Sequence, residues 1–204
     1  MGGKISTAGK RIIAAFDFDG TITNSDSLWS FIKYNVRYSK ILTGAVLFAQ
    51  TMLLFKLRLI SNQVAKEKLM KIFFAGVDYN HFLKICDNFS DKIDLIVRQK
   101  ALNKIKWHIA EGHEVVIISA SPQLWILPWA ISNGIETVIA TRLEIIDNTI
   151  TGRFMGKNCH GKEKIARFIE IYPNREDYIL YAYGDSSGDR PLLGFADLAF
   201  YKKF

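Results

Sequence analysis

Cysteine is scarce: Cys86 and Cys159 are the only two in 204 residues, too few for a disulfide framework and without metal-ligand spacing. A reducing, cytoplasmic setting is therefore expected. Proline is scarce too, with four residues, and neither an internal repeat nor a low-complexity linker occurs, which argues against a disordered chain. No long basic run is interleaved with aromatics, so nucleic acid is set aside as a partner. The N-terminus lacks a charged segment followed by an apolar core and a small-residue cleavage site, so no secretory signal is expected. "MGGKIS" does match the short myristoylation pattern, with Gly2 as acceptor and Ser6 in place, but a flexible polar leader is the preferred expectation.

What is present supports a folded core. The hydrophobic fraction is 49% and the charged fraction 23%, as in an ordinary globular domain. The length suits one sizeable domain, alone or carrying a smaller inserted one. Lys and Arg number 27 against 20 Asp and Glu, a formal charge of +7, which favours anionic partners such as phosphorylated metabolites or an acidic membrane face.

Four short apolar runs read as central strands of a parallel sheet: "RIIAAFDF" (11–18), "EVVIIS" (114–119), "IETVIA" (135–140) and "YILYAY" (178–183). Residues 92–110 and 163–171 keep apolar positions near a period of 3.6 and read as helices. This alternation predicts a doubly wound α/β fold with right-handed crossovers. "RLEIIDNTITGRF" (142–154) reads as a hairpin turning near Asp147 and Asn148. The long interval between the first two strands exceeds what one crossover requires. We therefore expect a catalytic core of residues 1–26 and 100–204 with an inserted helical cap domain of residues 27–99. Within it, "ILTGAVLFAQTMLLF" (41–55) carries no charge. A helix of that length spans about 22 Å, short of a hydrocarbon core of ~30 Å. It is either a cap helix packed against neighbours, the preferred expectation, or one lying in a membrane interface.

The chemistry concentrates at strand ends and helix starts. In an extended strand, residues i and i+2 share a side, so Asp17 and Asp19 can face one site at the carboxyl edge of the sheet, where ligands bind in open α/β folds. Gly20 permits a sharp turn and Thr21 offers a hydroxyl. Close carboxylates need a cation, a shared proton or strong solvation. Ser119 ends the second strand. Lys162 and Lys164 begin a helix, where backbone N–H groups and an ammonium together favour phosphate. Asp185 follows the fourth strand and Asp189 stands four residues later. His81, His108, His113 and His160 share no ligand spacing and read as surface or packing residues. Trp107, Trp125 and Trp129 read as core or cap contacts, and Arg142 as a hairpin surface residue.

The ordered set "DFDGT", "VVIIS", "GKEK" and "GDSSGD" resembles the haloacid dehalogenase superfamily of hydrolases along essentially the whole chain. The resemblance implies that Asp17 is a nucleophile forming an aspartyl-phosphate and that Asp19 is general acid and then base. It further implies Mg²⁺ held by Asp17, the backbone carbonyl of Asp19 and Asp185, with Asp189 in support. Ser119 and a lysine, Lys164 or alternatively Lys162, would grip the phosphate beside Gly20 and Thr21. The implied activity is phosphomonoester hydrolysis.

Placement of the helical insert between the first two motifs resembles the phosphoserine phosphatase-like branch, which places an acid downstream of the nucleophile to bind the substrate amine, and Asp26 stands nine residues beyond Asp17. Gly20 and "SASPQLW" depart from the serine-specific pattern. "SASP", "TRLE" and "YGDSSGD" look more like phosphatidylglycerophosphatase-type relatives. The substrate is thus expected to be a small phosphorylated metabolite or an anionic lipid phosphate such as phosphatidylglycerophosphate, with phosphoserine as the alternative. In the lipid case residues 41–55 would touch the membrane. A non-catalytic phosphate- or metal-binding module is the reading from another class.

Overall fold

The computed structural model describes residues 9–204, so Gly2 and Ser6 of the "MGGKIS" leader lie outside the described residues. The strands are β1 (Arg11–Phe16), β2 (Glu114–Pro122), β3 (Thr137–Thr141), β4 (Leu143–Ile146), β5 (Thr149–Phe154), β6 (Tyr178–Gly184) and β7 (Leu198–Tyr201). Five form one sheet in the order β3-β2-β1-β6-β7, and every adjacent pair is parallel. The helices are α1 (Ser27–Asn35), α2 (Tyr38–Lys56), α3 (Asn62–Phe74), α4 (Tyr79–Ile93), α5 (Gln99–Ala110), α6 (Gln123–Ser132), α7 (Lys162–Ile171) and α8 (Arg190–Phe195).

Side chains of β1 alternate between two apolar layers. Ala14 and Phe16 join the cluster beneath the inserted helices, whereas Ile13 and Ala15 join the one that holds Phe168 and Leu180. A strand buried on both faces must be apolar throughout, which is why the alternation expected of a half-exposed strand is missing from "IIAAF".

Several expectations need correction. The first strand stops at Phe16, not Phe18, because Asp19 (ψ 120°) and Gly20 (φ 84°) turn the chain sharply. β3 is an edge strand rather than a central one. Its open carbonyls are covered by side chains: Gln123 Nε2 donates to Val138 O at 2.9 Å and Arg167 donates to Ala140 O at 2.7 Å, which blunts the edge against further pairing. β7 at the opposite edge is the four-residue run "LAFY", too short to stand out as a strand in the sequence. The periodic stretch 92–110 is broken, since residues 96–98 leave the helix to pair with the chain entering the insert. Asn24 N–H donates to Ile96 O and Arg98 N–H to Ile22 O, both at 2.8 Å.

The insert is closed by caps and aromatics. Asp26, Ser61 and Asp78 accept from the backbone N–H groups of Trp29, Val64 and His81 at 3.1, 3.3 and 2.9 Å, starting α1, α3 and α4. Phe31 stacks on Trp125 of α6 at 4.6 Å and meets Phe89 edge-on at 5.1 Å. The antiparallel hairpin β4–β5 turns at Asp147 (φ 48°) and Asn148 (φ 55°), residues that tolerate the positive φ of a two-residue turn. It packs with the inserted helices, against α3: Gly152 (φ 79°) lies so close that a Cβ would fall 2.6 Å from Lys71 Cα.

α2 is packed on one side only. Its buried residues are Gly44, Phe48 and Thr51, while Leu42, Val46, Leu47 and Leu53 are exposed. Of its polar and small residues Thr43 and Gln50 are exposed and Gly44 and Thr51 buried, Gly44 being small enough to meet Phe73 of α3.

His108 is fully buried, with Nδ1 2.8 Å from His113 Nδ1 and Nε2 3.0 Å from the Tyr183 hydroxyl. Burial, aided by the charges of Lys104 and His113, pushes its pKa from 6.5 down to about 3. The unfolded chain takes up this proton near 6.5 and the folded chain only near 3, so stability falls as pH drops through that window. The loss between pH 7 and pH 5 should be about 2 kcal/mol. Urea denaturation at both pH values should show a shallower dependence for His108→Gln; an unchanged slope would assign the acid sensitivity elsewhere.

Candidate active site

The site forms at the carboxyl edge of the sheet because β1, β2 and β6 end there together. Asp17 continues the ladder beyond β1, its N–H donating to Tyr183 O at 2.9 Å. Asp185 follows the last residue of β6 directly. β2 changes register against β3 between Ser119 and Pro122. That irregularity curls the strand end so that Ser119 Oγ accepts from Ser121 N–H at 3.0 Å. Ser119 is fully buried, and among the described residues its hydroxyl donates to no protein acceptor.

Lys164 lies in the first turn of α7, after Gly161 (φ 63°) reverses the chain. Its Nζ sits 2.6 Å from Asp17 Oδ1 and 2.6 Å from Asp189 Oδ1. The side chain is 2% exposed. Lys162 is exposed and borders a cleft with His160 and Ser61, so of the two lysines the structure brings only Lys164 to the carboxylates.

Asp17 and Asp19 have different surroundings. Asp19 Oδ1 accepts from Ser27 N–H at 2.7 Å and Oδ2 from the Ser121 hydroxyl at 2.5 Å. Burial raises the Asp19 pKa, and the charge of Asp26 raises it further. Burial also pushes Asp17 up to about 7, against the pull of Lys164. Asp185 is raised by burial and then by Asp189. Burial works on Asp189 in the same sense, but Lys164 and the Ser186 hydrogen bonds outweigh it and hold that carboxyl below its usual range. For Lys164 burial favours the neutral amine, yet Asp17 and Asp189 prevail and its pKa is raised. Burial thus favours the protonated form of three acids, Asp17, Asp19 and Asp185, while the Lys164 ammonium is held in its charged form.

Carboxylate oxygens of Asp17, Asp185 and Asp189 lie within 4.8 Å of one another. Asp185 Oδ1 and the Thr21 hydroxyl are buried and have no hydrogen-bond partner among the described residues. Gly20 makes room for this carboxylate, since a Cβ there would fall 2.4 Å from Asp185 Oδ2. An orphaned carboxylate oxygen beside two further acids is a donor set that fits a hard divalent cation.

Some participants escaped sequence reasoning. Ser121 lies in "SASP", past the apolar run that ends at Ser119 in the sequence, and is the penultimate residue of β2. Lys66 comes from α3, far away in sequence, and donates to Ala120 O at 3.1 Å, between the two serines; its charge lowers the Asp19 pKa. Trp125 Nε1 donates to Ser27 Oγ at 3.2 Å, supporting the turn that holds Asp19. Arg142 is exposed and borders the cleft along β3 with Gln123 and Arg167.

The sequence model of haloacid dehalogenase-like hydrolases matches residues 14–194. The chain belongs to this family. It is 30% identical over 197 residues to the protein CicA of Caulobacter vibrioides, covering 95% of this chain and 86% of that one. It is 25% identical over 205 residues to a histidinol-phosphatase of Neisseria meningitidis, covering 89% and 85%. Its fold resembles that of a substrate-bound phosphoserine phosphatase, with a TM-score of 0.62, 18% identity and coverage of 94% and 86%. Phosphatases are thus among its relatives and structural neighbours, and the chain itself is a haloacid dehalogenase-like hydrolase.

Proposed function

We propose that the protein hydrolyses phosphomonoesters with Mg²⁺ through an aspartyl-phosphate on Asp17. The observation that carries this reading is the Lys164 ammonium held between Asp17 and Asp189 beside the unpartnered oxygen of Asp185. A substrate phosphoryl group placed there meets Lys164 and the Ser119 hydroxyl as donors for its equatorial oxygens. The Asp17 carboxylate attacks phosphorus as the bond to the alcohol oxygen breaks. Asp19, whose proton burial and Asp26 help retain, donates it to the leaving oxygen. Asp19 then removes a proton from water, which attacks phosphorus, breaks the bond to Asp17 and releases inorganic phosphate. Asp17, Asp185 and the Asp19 backbone carbonyl would hold Mg²⁺, with Asp189 supporting them. When bound, the ion supplies positive charge that lets a phosphate dianion approach clustered carboxylates.

The leaving group would occupy a cleft of about 170 Å³ bordered by Asp26, Trp29, Phe48, Met52, Phe55 and Lys66. Its apolar walls favour an alcohol with an apolar body, as in a lipid phosphate such as phosphatidylglycerophosphate or a metabolite with an apolar ring. Asp26 keeps a carboxylate for a substrate amine, which is what supports phosphoserine or histidinol phosphate as the second reading. The buried free thiols Cys86 and Cys159 accord with action in a reducing cytoplasm.

The test is phosphate release from phosphoserine, histidinol phosphate and a short-chain phosphatidylglycerophosphate, with and without EDTA. The apolar-bodied ester should turn over fastest, and EDTA should lower the rate ~10²-fold or more until Mg²⁺ is returned. Turnover indifferent to EDTA would contradict the metal assignment. Phosphate binding without turnover of any ester would favour the non-catalytic module.

A further inference from the structure

α2 is built inside out for a helix in water. Over the most apolar 18 of its 19 residues the mean hydropathy is 1.3, and only 17% of those residues are buried. Tyr38, Leu42, Val46 and Leu53 are 74%, 52%, 76% and 58% exposed, and spacings of four, four and seven put them on one stripe. Ala45 and Ala49 lie beside them, also exposed, and Leu57 and Leu59 extend the apolar surface past the helix end. A continuous apolar stripe of this length on a soluble surface calls for something to cover it.

The inner side is committed. A Cβ on Gly44 would lie 2.4 Å from Phe73 Cζ, so the helix rests directly on α3. Lys40 Nζ donates to Phe73 O at 3.1 Å and fixes one end. Held lengthwise in this way, α2 cannot cross a bilayer without detaching from α3, but its outer side is free to lie on one.

Charge selects the occupant. From Ser27 to Lys66 the chain contains no Asp or Glu, yet it carries Lys33, Arg37, Lys40, Lys56, Arg58 and Lys66. Lys33, Arg37, Lys56 and Arg58 are exposed around the two ends of the stripe. Two copies meeting through α2 would set these cations against each other with no local acid in between. An anionic bilayer answers both features, taking the apolar side chains into its interface and the cations among its headgroups.

We propose that the outer face of α2 is a docking surface for anionic lipid bilayers, with the helix lying in the interface plane. The surface is separate from the catalytic groups, and its binding is measured without any substrate, so this inference and the reading of the active site fail independently.

The test is sedimentation of the full chain with vesicles of phosphatidylcholine alone and of phosphatidylcholine with phosphatidylglycerol. Binding should require the anionic lipid and weaken with salt. Val46→Glu with Leu53→Glu should reduce the partition coefficient at least ~10-fold, and Arg37, Lys56 and Arg58 each changed to Ser should cost about 5-fold apiece. These residues are exposed, so hydrolysis of soluble p-nitrophenyl phosphate should stay at the wild-type rate and report an intact fold. Failure of the wild type to sediment with anionic vesicles at low salt would overturn the proposal. So would undiminished binding by the double Glu variant, or loss of a concentration-dependent dimer in that variant without any vesicle binding by the wild type.

Discussion

Asp17→Asn should lower turnover at least ~10³-fold while leaving the chain folded. The substitution keeps the shape of the side chain and removes the nucleophilic oxygen. Its structural cost is small, because burial already disfavours the Asp17 charge, raising its pKa to about 7, and Lys164 retains Asp189 at 2.6 Å. Urea denaturation should place the variant within ~1 kcal/mol of the wild type. Asp19→Asn separates the two roles. In the release of the alcohol, followed within a single turnover, losing a proton donor should cost ~10²–10⁴-fold for an ester with a poor leaving group, but far less for p-nitrophenyl phosphate, whose phenolate leaves without protonation. Equal deficits in that first step on both ester types would contradict the acid role of Asp19. Undiminished turnover in Asp17→Asn would contradict the nucleophile.

Lys164→Ala should be the most destabilising single change at the site. Lys164 and both its partners are nearly buried, with side chains 2%, 9% and 2% exposed for Lys164, Asp17 and Asp189. Removing the cation leaves two close carboxylates buried without their counter-charge, a change that typically costs ~3–5 kcal/mol. Lys162→Ala touches an exposed side chain and should stay within ~0.5 kcal/mol. Denaturation in EDTA measures the full effect, and added Mg²⁺ should restore part of it by binding the exposed acids. Turnover should follow the same order, since only Lys164 lies beside Asp17. Near-equal effects at the two lysines would count against the assignment of Lys164.

The candidate site is legible in the sequence because the proposed chemistry ties residue types to element ends. Two acids after an apolar run, a serine ending a second and an Asp-rich loop after a third mark one sheet edge without any knowledge of contacts. The lysine was ambiguous, since Lys162 and Lys164 both sit at a helix start and only tertiary packing turns one inward. Contacts made across the chain left no local signal. Lys66 reaches Ala120 from another layer, and Ser121 reaches Asp19 only because β2 changes register at its end. The break at residues 96–98 interrupts a continuous apolar period because pairing with residues 22–24 outweighs helix propensity. α2 misleads for the opposite reason. Its composition suggests a buried helix, but only Gly44, Phe48 and Thr51 are buried, while Leu42, Val46, Leu47 and Leu53 are left outside.

The central claim is a phosphoryl group carried on Asp17, and its direct measurement is acid quenching during turnover of p-nitrophenyl phosphate followed by mass spectrometric mapping. One phosphoryl group should be found on the peptide containing Asp17 in the wild type and should be absent from Asp17→Asn. It should accumulate in Asp19→Asn, where the water that clears it lacks its base. A phosphoryl group mapped to any other residue, or turnover by Asp17→Asn at the wild-type rate, would contradict the account.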